Sequence, residues 1–295
     1  MVVRQTILVT GSNGQLGNEF KQLSNSYPRY KFIFASRDEL NITDRDSVNN
    51  LFNSFVPSYC INCAAYTAVD KAETGIEEAF NVNSKATAIL AAACKEFSTQ
   101  FIHISTDYVF DGTASVPYTE ESKTNPVSIY GKSKLEGEQK ATEANPGSII
   151  IRTAWVYSQF GKNFVKTMLR LMNDKTEIGV VNDQVGSPTY AADLAIAIMR
   201  IISSGNWHPG HYHFSNQGII SWFDFANAIK ELTGSNCKVN PISTSQYPTP
   251  ARRPAYSVLD STKISKAYNI PLTGWEQSLK ICLQRIQEQN SVQNQ

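Results

Sequence analysis

The segment Thr10-Gly-Ser-Asn-Gly-Gln-Leu-Gly17 follows the apolar run TILVT and opens a helical pattern. Its three glycines have the spacing G-x-x-G-x-x-G. Gly11 permits a sharp turn, Gly14 lets the backbone approach a diphosphate, and Gly17 allows the helix to pack tightly on the strand. The free N–H groups and the positive dipole end of such a helix favour phosphate. The segment therefore predicts a dinucleotide-binding turn between the first strand and the first helix.

The first half of the chain alternates short apolar runs with longer amphipathic ones. This alternation predicts an α/β fold with a doubly wound parallel (Rossmann) sheet, in which strands are apolar throughout because both faces are buried. After Arg152 the alternation becomes less regular. Strands are predicted at 6–10, 31–35, 59–63, 101–105 and 148–152, and helices at 15–24, 44–55, 75–97, 127–144, 161–173, 190–204 and 221–233.

Two interleaved units are expected from this organisation. Residues 1–155 are predicted to form an NAD(P)-binding domain, to which later segments return. Residues 156–295 are predicted to form mainly a smaller substrate-binding domain. The stretches at 179–190 and 242–256 are rich in turn residues, which is typical of loops over a cleft.

The composition excludes several classes of partner. The chain has 295 residues, of which 41% are hydrophobic and 18% charged, and its net charge is +1. We therefore expect no nucleic-acid partner and no membrane partner. There is no apolar run long enough to span a bilayer, and the first residues lack the organisation of a signal peptide. A cytoplasmic protein is expected, as a monomer or a homodimer.

Cysteine and histidine groups are the candidates for a metal site. The five cysteines are an odd and scattered set, which favours a reducing compartment over a disulfide framework. Cys60 and Cys63 have C-x-x-C spacing, but they lie in an apolar strand pattern without a second pair. The histidines of HPGHYHF (208–214) have no adjoining acidic residue. No metal is predicted.

The end of the second predicted strand bears on cofactor choice. A carboxylate at this position usually binds the ribose hydroxyls of NAD. Here the strand ends with Ala35 and Ser36, followed by Arg37. A hydroxyl and a guanidinium suit the 2′-phosphate of NADPH. Because Asp38 follows at once, NADH is also possible.

The segment SIYGKSKLEGE (128–138) places a tyrosine four residues before a lysine at the start of a predicted helix. Tyr130 and Lys134 therefore share one helix face. A free phenol has a pKa of about 10, and a neighbouring cation lowers it toward the working range of an acid–base catalyst. By itself the pattern also fits a surface tyrosine above a solvated lysine.

Hydroxyl and carboxyl groups follow the fourth predicted strand at Ser105, Thr106 and Asp107. Ligands of parallel sheets bind at the carboxyl ends of the strands, so this cluster and the glycine turn should face one cleft. A hydroxyl there can hydrogen-bond a substrate oxygen beside Tyr130. A simple cap of the strand end is the alternative, because these residue types favour turns.

Together the glycine turn, the hydroxyl cluster and Tyr-x-x-x-Lys resemble the extended, nucleotide-sugar branch of the short-chain dehydrogenase/reductase superfamily. Within it, the chain is most similar to the dTDP-4-dehydrorhamnose reductase family. The motifs that carry this closer resemblance are NCAAYTAVDKAE (62–73), STDYVFDG (105–112), YGKSKLEGE (130–138), RTAWVY (152–157), GKNFVKTML (161–169) and DQVGSPTYAADLA (183–195).

The resemblance implies an oxidoreductase of dTDP-rhamnose biosynthesis, for surface polysaccharide. NAD(P)H would reduce the C4 ketone of the nucleotide sugar dTDP-4-dehydro-L-rhamnose to give dTDP-L-rhamnose. Tyr130 would be the general acid, and Lys134 would orient the nicotinamide ribose and lower the pKa of the tyrosine. Thr106 would hydrogen-bond the reacting oxygen.

Further positions carry over from the family by their match to its motifs. The cofactor residues implied are Asn13, Gln15 and Leu16 beside the three glycines, then Arg37, Asn41, Ile42, Ala64, Ala65, Tyr66 and Thr67. Asp107, Tyr108 and Trp155 are implied for the substrate, with Trp155 stacking on it. Some family members bind magnesium through a glutamate where this chain has Gln15, so this metal is not expected. Arg252 and Arg253 could clamp a diphosphate.

Three alternatives stay open at this point. The enzyme could be a reductase or an epimerase acting on another nucleotide 4-keto sugar. A 4,6-dehydratase is disfavoured, because those enzymes have a glutamate where this chain has Tyr108. The chain could also be a non-catalytic, NADP-binding regulatory subunit, since the regulatory beta subunit of methionine adenosyltransferase resembles the same family.

Overall fold

A computed structural model describes residues 4–293, which form twelve strands and eleven α-helices. The strands are β1 (Gln5–Thr10), β2 (Tyr30–Ala35), β3 (Tyr59–Asn62), β4 (Gln100–Thr106), β5 (Ile149–Thr153), β6 (Val156–Tyr157), β7 (Glu177–Val181), β8 (Val185–Gly186), β9 (Thr189–Tyr190), β10 (Gly210–His213), β11 (Ile220–Ser221) and β12 (Lys238–Ile242). The helices are α1 (Gln15–Leu23), α2 (Arg45–Phe55), α3 (Val69–Ala72), α4 (Ile76–Phe80), α5 (Ala86–Glu96), α6 (Ile129–Ala144), α7 (Phe164–Asp174), α8 (Ala191–Ser203), α9 (Trp222–Thr233), α10 (Thr262–Tyr268) and α11 (Trp275–Gln293). A π-helical segment, Asn81–Lys85, joins α4 to α5.

Six strands form one parallel sheet in the order β10-β5-β4-β3-β1-β2. The predicted fold class and its five strands are confirmed. The sixth strand, β10, comes from the later part of the chain and pairs with β5. The sequence indicates β10 only as a strand-like run, because its alternation of Gly210, His211, Tyr212 and His213 carries little apolar signal.

Both faces of the sheet are covered, as the continuous apolar strands require. Ile7 and Val9 point into a core shared with α1 and α8, whereas Leu8 points into the opposite core beneath α2 and α5. Successive side chains of β1 thus point alternately into the cores on the two faces of the sheet. Helix α8 lies far along the chain but packs against α1, which returns the later chain to the sheet.

A separate core is built by α7, α9 and α11 with the parallel pair β7 and β12. Helices α7 and α9 match predicted segments, whereas α10 and α11 were not predicted. Helix α11 buries Leu279, Cys282, Leu283 and Ile286 in this core at helical spacing. Its other positions are largely polar, and none of the helices within residues 4–293 is long and apolar enough to cross a membrane.

Two glycines bring α6 unusually close to neighbouring backbone. A Cβ atom added at Gly131 would collide with the carbonyl oxygen of Tyr108, and one added at Gly137 would collide with that of Asn83 in the π-helical segment. Neither glycine needs an unusual φ, so the requirement is one of space. These contacts fix how closely α6 lies against the turn after β4 and against the π-helical segment.

We predict that Gly137→Ala destabilises the protein by about 1–3 kcal/mol, because backbone must move to admit the methyl group. Urea unfolding measures the change in the free energy of unfolding. Gly274→Ala is the control, since no atom lies within 4 Å of its added Cβ. Equal stability of the two variants would contradict the close approach of α6.

Candidate functional site

The glycine turn at the carboxyl end of β1 has the predicted close contacts. Gly11 has a φ of 62°, and a Cβ there would lie 2.7 Å from the backbone nitrogen of Ala64. A Cβ at Gly17 would lie 2.5 Å from the Cα of Ser12. Gly14 is the N-cap of α1, and no side chain caps the helix. The first N–H groups of α1 are therefore left for a ligand.

The other residues of this turn differ in where their side chains go. Asn13 accepts a hydrogen bond from Lys21 Nζ at 2.9 Å, and Leu16 is buried in the core. Gln15 turns toward the later part of the chain, where its Oε1 accepts from Asn163 Nδ2 at 3.0 Å. Gln15 thereby joins α1 to the start of α7.

At the end of β2, Ala35 and Ser36 are buried and Arg37 is exposed. The carboxylate that accompanies them belongs to Glu39, which accepts from Ser36 N at 2.8 Å. This hydrogen bond lowers the pKa of Glu39. The sequence reasoning considered Asp38 and missed Glu39, because only the turn brings residue 39 back to the strand end.

The two adenine candidates lie in different environments. Asn41 is exposed, and its Oδ1 accepts from both the backbone nitrogen and the hydroxyl of Thr43. Ile42 is buried in the core beneath α2 and α5. Only the side chain of Asn41 thus faces solvent.

The loop after β3 is held by a residue that the sequence reasoning missed. Ala64, Ala65 and Tyr66 are partly exposed and Thr67 is exposed. Asn83 fixes the loop, because its Oδ1 accepts from Tyr66 N at 2.8 Å and its Nδ2 donates to Tyr66 O at 3.0 Å. The sequence signal was an asparagine within the Ala-rich helix predicted at 75–97, and the structure shows that Asn83 is fully buried and hydrogen-bonded.

Tyr130 lies in the first turn of α6, directly beside the carboxyl end of β4. The helix begins at the N-cap Ser128, whose hydroxyl accepts from Gly131 N at 3.1 Å. The ring of Tyr130 is 9% exposed and packs edge-on against Tyr108, with 5.5 Å between ring centroids. The structure thus brings Tyr130 and the residues that follow β4 into one site.

The amine of Lys134 faces the sheet, and this corrects one expectation. Its Nζ donates to the carbonyl oxygen of Ile104 at 2.6 Å and lies 3.2 Å from His103 Nε2. Burial raises the pKa of Tyr130, a hydrogen bond from Thr106 opposes that rise, and the charge of Asp107 adds to it. The prediction that Lys134 lowers the pKa of this phenol is therefore wrong for this structure, because the amine points elsewhere.

Burial acts on Lys134 in the opposite direction. It lowers the pKa of this amine to about 8, although the charge of Glu138 opposes the change. The amine is 2% exposed and still has two polar neighbours. Near neutral pH, Lys134 is therefore much closer to losing its proton than an exposed lysine is.

The cluster after β4 is buried and hydrogen-bonded within itself. Thr106 Oγ1 donates to Asp107 Oδ1 at 2.9 Å and accepts from Tyr108 N at 3.2 Å. Asp107 is 2% exposed, and burial raises its pKa to about 6. Its Oδ2 has no hydrogen-bond partner among the described residues. An unpaired buried oxygen at this point suits a ligand that can donate a hydrogen bond.

A loop from the later part of the chain crosses to this cluster. Arg253 Nη1 donates to the hydroxyl of Tyr108 at 3.2 Å, and its Nη2 donates to Asp70 Oδ2 at 2.8 Å. Arg252, the other predicted clamp residue, is exposed. Of the two arginines, only Arg253 contacts the polar segment after β4, through Tyr108.

Trp155 lies with a second tryptophan that was not predicted. The rings of Trp155 and Trp222 are stacked, with 3.5 Å between centroids and 9° between planes. Trp155 has a φ of 49°, which is unusual for a bulky residue. A Cβ added at Gly186 would lie 2.6 Å from the Trp155 ring, so this glycine makes room for it.

A parallel Rossmann sheet with a glycine turn, a polar cluster after β4 and Tyr-x-x-x-Lys at the start of α6 defines an extended short-chain dehydrogenase/reductase fold. The family model described as "RmlD substrate binding domain" matches residues 5–288. The chain belongs to the dTDP-4-dehydrorhamnose reductase family, as its similarity to curated relatives also shows.

Three comparisons illustrate this relationship. A dTDP-4-dehydrorhamnose reductase of Aggregatibacter actinomycetemcomitans is 42% identical over 93% of this chain and 97% of its own length. A dTDP-4-keto-6-deoxy-D-glucose reductase of Streptomyces niveus is 36% identical over 92% of this chain and 94% of its own. The solved structure of a Bacillus anthracis dTDP-4-dehydrorhamnose reductase in complex with NADP is 36% identical and aligns with a TM-score of 0.91, covering 96% of this chain and 100% of that one.

We predict that Asp107→Asn changes how stability depends on pH. Burial raises the pKa of this carboxyl to about 6 in the folded protein, from about 3.9 in the unfolded chain, so the folded state binds the extra proton between these values. The wild type therefore loses stability as pH rises through this window, by about 1–3 kcal/mol.

The asparagine variant lacks this loss, so its stability relative to the wild type should increase from about pH 4.5, inside this window, to about pH 7.5, above it. Thermal unfolding at the two pH values measures the difference. Asp38→Asn, an exposed position, is the control. A difference between variant and wild type that stays constant with pH would contradict the raised pKa.

Proposed function

We propose that this protein is a dTDP-4-dehydrorhamnose reductase, which reduces the C4 ketone of dTDP-4-dehydro-L-rhamnose to a hydroxyl. One observation carries the proposal: Tyr130, Thr106 and Asp107 meet at the carboxyl edge of the sheet. The glycine turn lies at this same edge. The family relationship supplies the substrate, and the three motifs supply the groups that the reaction needs.

The glycine turn fits a dinucleotide. Gly11 and Gly17 pack too tightly on neighbouring backbone to carry a side chain, and Gly14, which has none, lets a diphosphate approach the backbone of the turn. Helix α1 begins at Gln15 without a side-chain cap, so its N–H groups can receive the phosphates. When bound, the reduced nicotinamide supplies the hydride that adds to C4 of the sugar.

Tyr130 supplies the proton in this proposal. Hydride addition to a ketone leaves an alkoxide, which needs an acid within hydrogen-bond reach. Burial raises the pKa of Tyr130, so its phenol keeps the proton at neutral pH until a stronger base forms beside it. The raised pKa thus suits a proton donor in the reductive direction.

Thr106 and Lys134 complete the proposed set. The hydroxyl of Thr106 lies close enough to Tyr130 to affect its pKa, and it can also hydrogen-bond the reacting sugar oxygen. Lys134 is one helical turn after Tyr130, and its amine is held at the sheet by Ile104 O. From there it is proposed to bind the nicotinamide ribose and to return a proton toward Tyr130.

NADPH is the proposed cofactor. The Bacillus anthracis relative has NADP bound, and Arg37 is exposed at the end of β2 where a 2′-phosphate would lie. Glu39 stands beside the same strand end and is ionised, so it favours ribose hydroxyls over a second anion. NADH therefore remains a second substrate in this proposal.

We also propose which segment of the chain binds which ligand. Residues 1–155 would bind the cofactor, and residues 156–295 would mainly bind the nucleotide sugar. Arg253 and Trp222 come from the second segment: Arg253 contacts Tyr108, and Trp222 stacks on Trp155, the last residue of the first segment. Arg253 would contact the diphosphate, and the tryptophan pair would contact the sugar.

A second candidate is reduction of a different dTDP-4-keto sugar. The Streptomyces niveus relative carries the name of such an enzyme at 36% identity. Both reactions use the same hydride and proton chemistry at C4, so the catalytic residues do not distinguish them. The substrate series in the assay below does, and a non-catalytic subunit would reduce none of the sugars.

We predict that Tyr130→Phe lowers kcat for dTDP-4-dehydro-L-rhamnose reduction by about 10²–10⁴-fold, because the proton donor is lost. The loss of NADPH absorbance measures the rate. NADPH binding, followed by fluorescence, should change little. Tyr247→Phe is the matched control, since Tyr247 is 59% exposed.

Each outcome of this assay has a defined meaning. Activity of the wild type that survives in Tyr130→Phe would overturn the role of the phenol. A wild type that reduces dTDP-4-dehydro-6-deoxy-D-glucose and leaves the rhamnose precursor untouched would favour the second candidate. NADPH binding without reduction of any sugar would favour a non-catalytic subunit.

We predict that Arg37→Ala weakens NADPH binding by about tenfold and leaves NADH binding within about twofold, because only NADPH has the phosphate that the guanidinium can bind. Fluorescence titration gives both dissociation constants. Arg170→Ala is the control, since this exposed arginine lies on α7. An equal loss for both cofactors would reject Arg37 as the phosphate ligand.

A further inference from the structure

A buried line of polar side chains connects the glycine turn to Lys134. Thr10 Oγ1 donates to Asn62 Oδ1 at 2.7 Å, and Asn62 Nδ2 lies 3.0 Å from His103 Nδ1. His103 Nε2 then lies 3.2 Å from Lys134 Nζ. The four residues come from β1, β3, β4 and α6, and each is at most 2% exposed. Only Lys134 has a role in the proposed reaction.

A backbone N–H group determines which atoms of this line donate and which accept hydrogen bonds. The N–H of Ala64 can only donate, and it donates to Asn62 Oδ1 at 3.2 Å. The oxygen of the Asn62 amide is thereby assigned, so its nitrogen faces His103. Asn62 Nδ2 must donate, and His103 Nδ1 must accept.

The proton of His103 is therefore on Nε2, the nitrogen that faces Lys134. Burial and the nearby charge of Lys134 lower the pKa of His103 well below its usual range, so the ring is neutral. A neutral imidazole has one N–H, and Nδ1 is already an acceptor. The resulting Nε2–H points at Lys134 Nζ.

An N–H group pointed at an amine distinguishes its two protonation states. The neutral amine has a lone pair that can accept from Nε2–H, whereas the ammonium group has none and is repelled. The carbonyl of Ile104 accepts from Nζ in either state and keeps the nitrogen in place. The contact with His103 therefore favours the neutral amine.

We propose that His103 is a positioning residue, which helps to hold the amine of Lys134 at the carbonyl of Ile104 and sets the protonation state of this amine through Nε2–H. The proposal rests on the proposed function only in giving Lys134 a part in proton return to Tyr130. Asn62 and Ala64 hold His103 in the required tautomer. The same Asn62 oxygen receives the hydroxyl of Thr10, so the tautomer depends on the residue that precedes Gly11.

Other titratable groups around Lys134 act differently. Glu138, one turn further along α6, favours the ammonium form, but it is paired with Arg152 at 2.7 Å. Cys63 follows β3, and burial raises the pKa of its thiol, so the thiol stays neutral at physiological pH. Tyr130 is protonated for the same reason. His103 is thus the neighbour whose hydrogen bonding discriminates directly between the two states of the amine.

The test replaces the N–H by a group that can accept. In His103→Gln, the amide oxygen can face Lys134 and stabilise the ammonium form. Protein labelled with ¹³C at lysine Cε is titrated by NMR, and the Lys134 signal is identified by its loss in Lys134→Met. The midpoint for Lys134 should rise by about one pH unit, a tenfold change in the proton affinity. The exposed Lys132 on α6 is the internal control, and its signal should titrate alike in both proteins.

Enzyme kinetics give the second readout. The high-pH limb of kcat/KM should move upward by the same amount in His103→Gln, because Lys134 keeps its proton to higher pH. A merely structural role for His103 would lower activity at every pH without moving this limb. An unchanged Lys134 midpoint, or a downward shift, would overturn the proposal.

A second variant tests the same proposal if His103→Gln does not fold. In Asn62→Asp, both side-chain oxygens can only accept once ionised, so His103 Nδ1 must carry the proton and Nε2 becomes an acceptor. The Lys134 midpoint should again rise, and no rise would count against the proposal. The NMR titration does not need the sugar. If the wild type reduced no sugar, the proposed function would be rejected. The NMR titration would still test the role of His103.

Discussion

The site depends on one constraint, which is the direct contact of two glycines of α6 with neighbouring backbone. Gly131 lets the helix meet the carbonyl of Tyr108, and Gly137 lets it meet the carbonyl of Asn83. Because both contacts are with backbone, a larger residue cannot be admitted by a side-chain rotation. Tyr130 adjoins the first of these glycines and Lys134 lies between the two, so the positions of both side chains depend on these contacts.

A buried ion pair also joins α6 to the sheet. Glu138 on α6 accepts from Arg152 on β5 at 2.7 and 2.9 Å, and from the hydroxyl of Ser105 on β4 at 2.5 Å. Hydrogen bonds with His211 and Arg152, together with the charge of Arg152, lower the pKa of this carboxyl to about 2, although burial opposes the change. Such a pair adds little net stability, but loss of one partner is costly, so the register of α6 against β4 and β5 is well defined.

Local patterns in the sequence were enough to predict the sheet and the positions of the main motifs. The glycine spacing, the apolar strands and Tyr130 with Lys134 are each encoded within a few residues, and periodicity detects them. Helix α11 carried a detectable signal too, because Leu279, Cys282, Leu283 and Ile286 have helical spacing. What the sequence could not show were contacts between distant segments: β10 beside β5, Asn83 against Tyr66, and the direction of the Lys134 amine. These depend on packing, and no short window contains both partners.

Burial shifts the pKa values of Tyr130 and Lys134 in opposite directions. Removal from water disfavours the charged form of each, so it raises the pKa of Tyr130 and lowers that of Lys134. The two pKa values, which are similar in water, are thereby driven apart. In the proposed reaction the phenol keeps its proton at neutral pH until the alkoxide forms, while the amine can release one at moderate cost. A direct ion pair of phenolate and ammonium would require the opposite shifts. The low dielectric at the start of α6 therefore favours a neutral phenol, which is the state that the proposed proton donor needs.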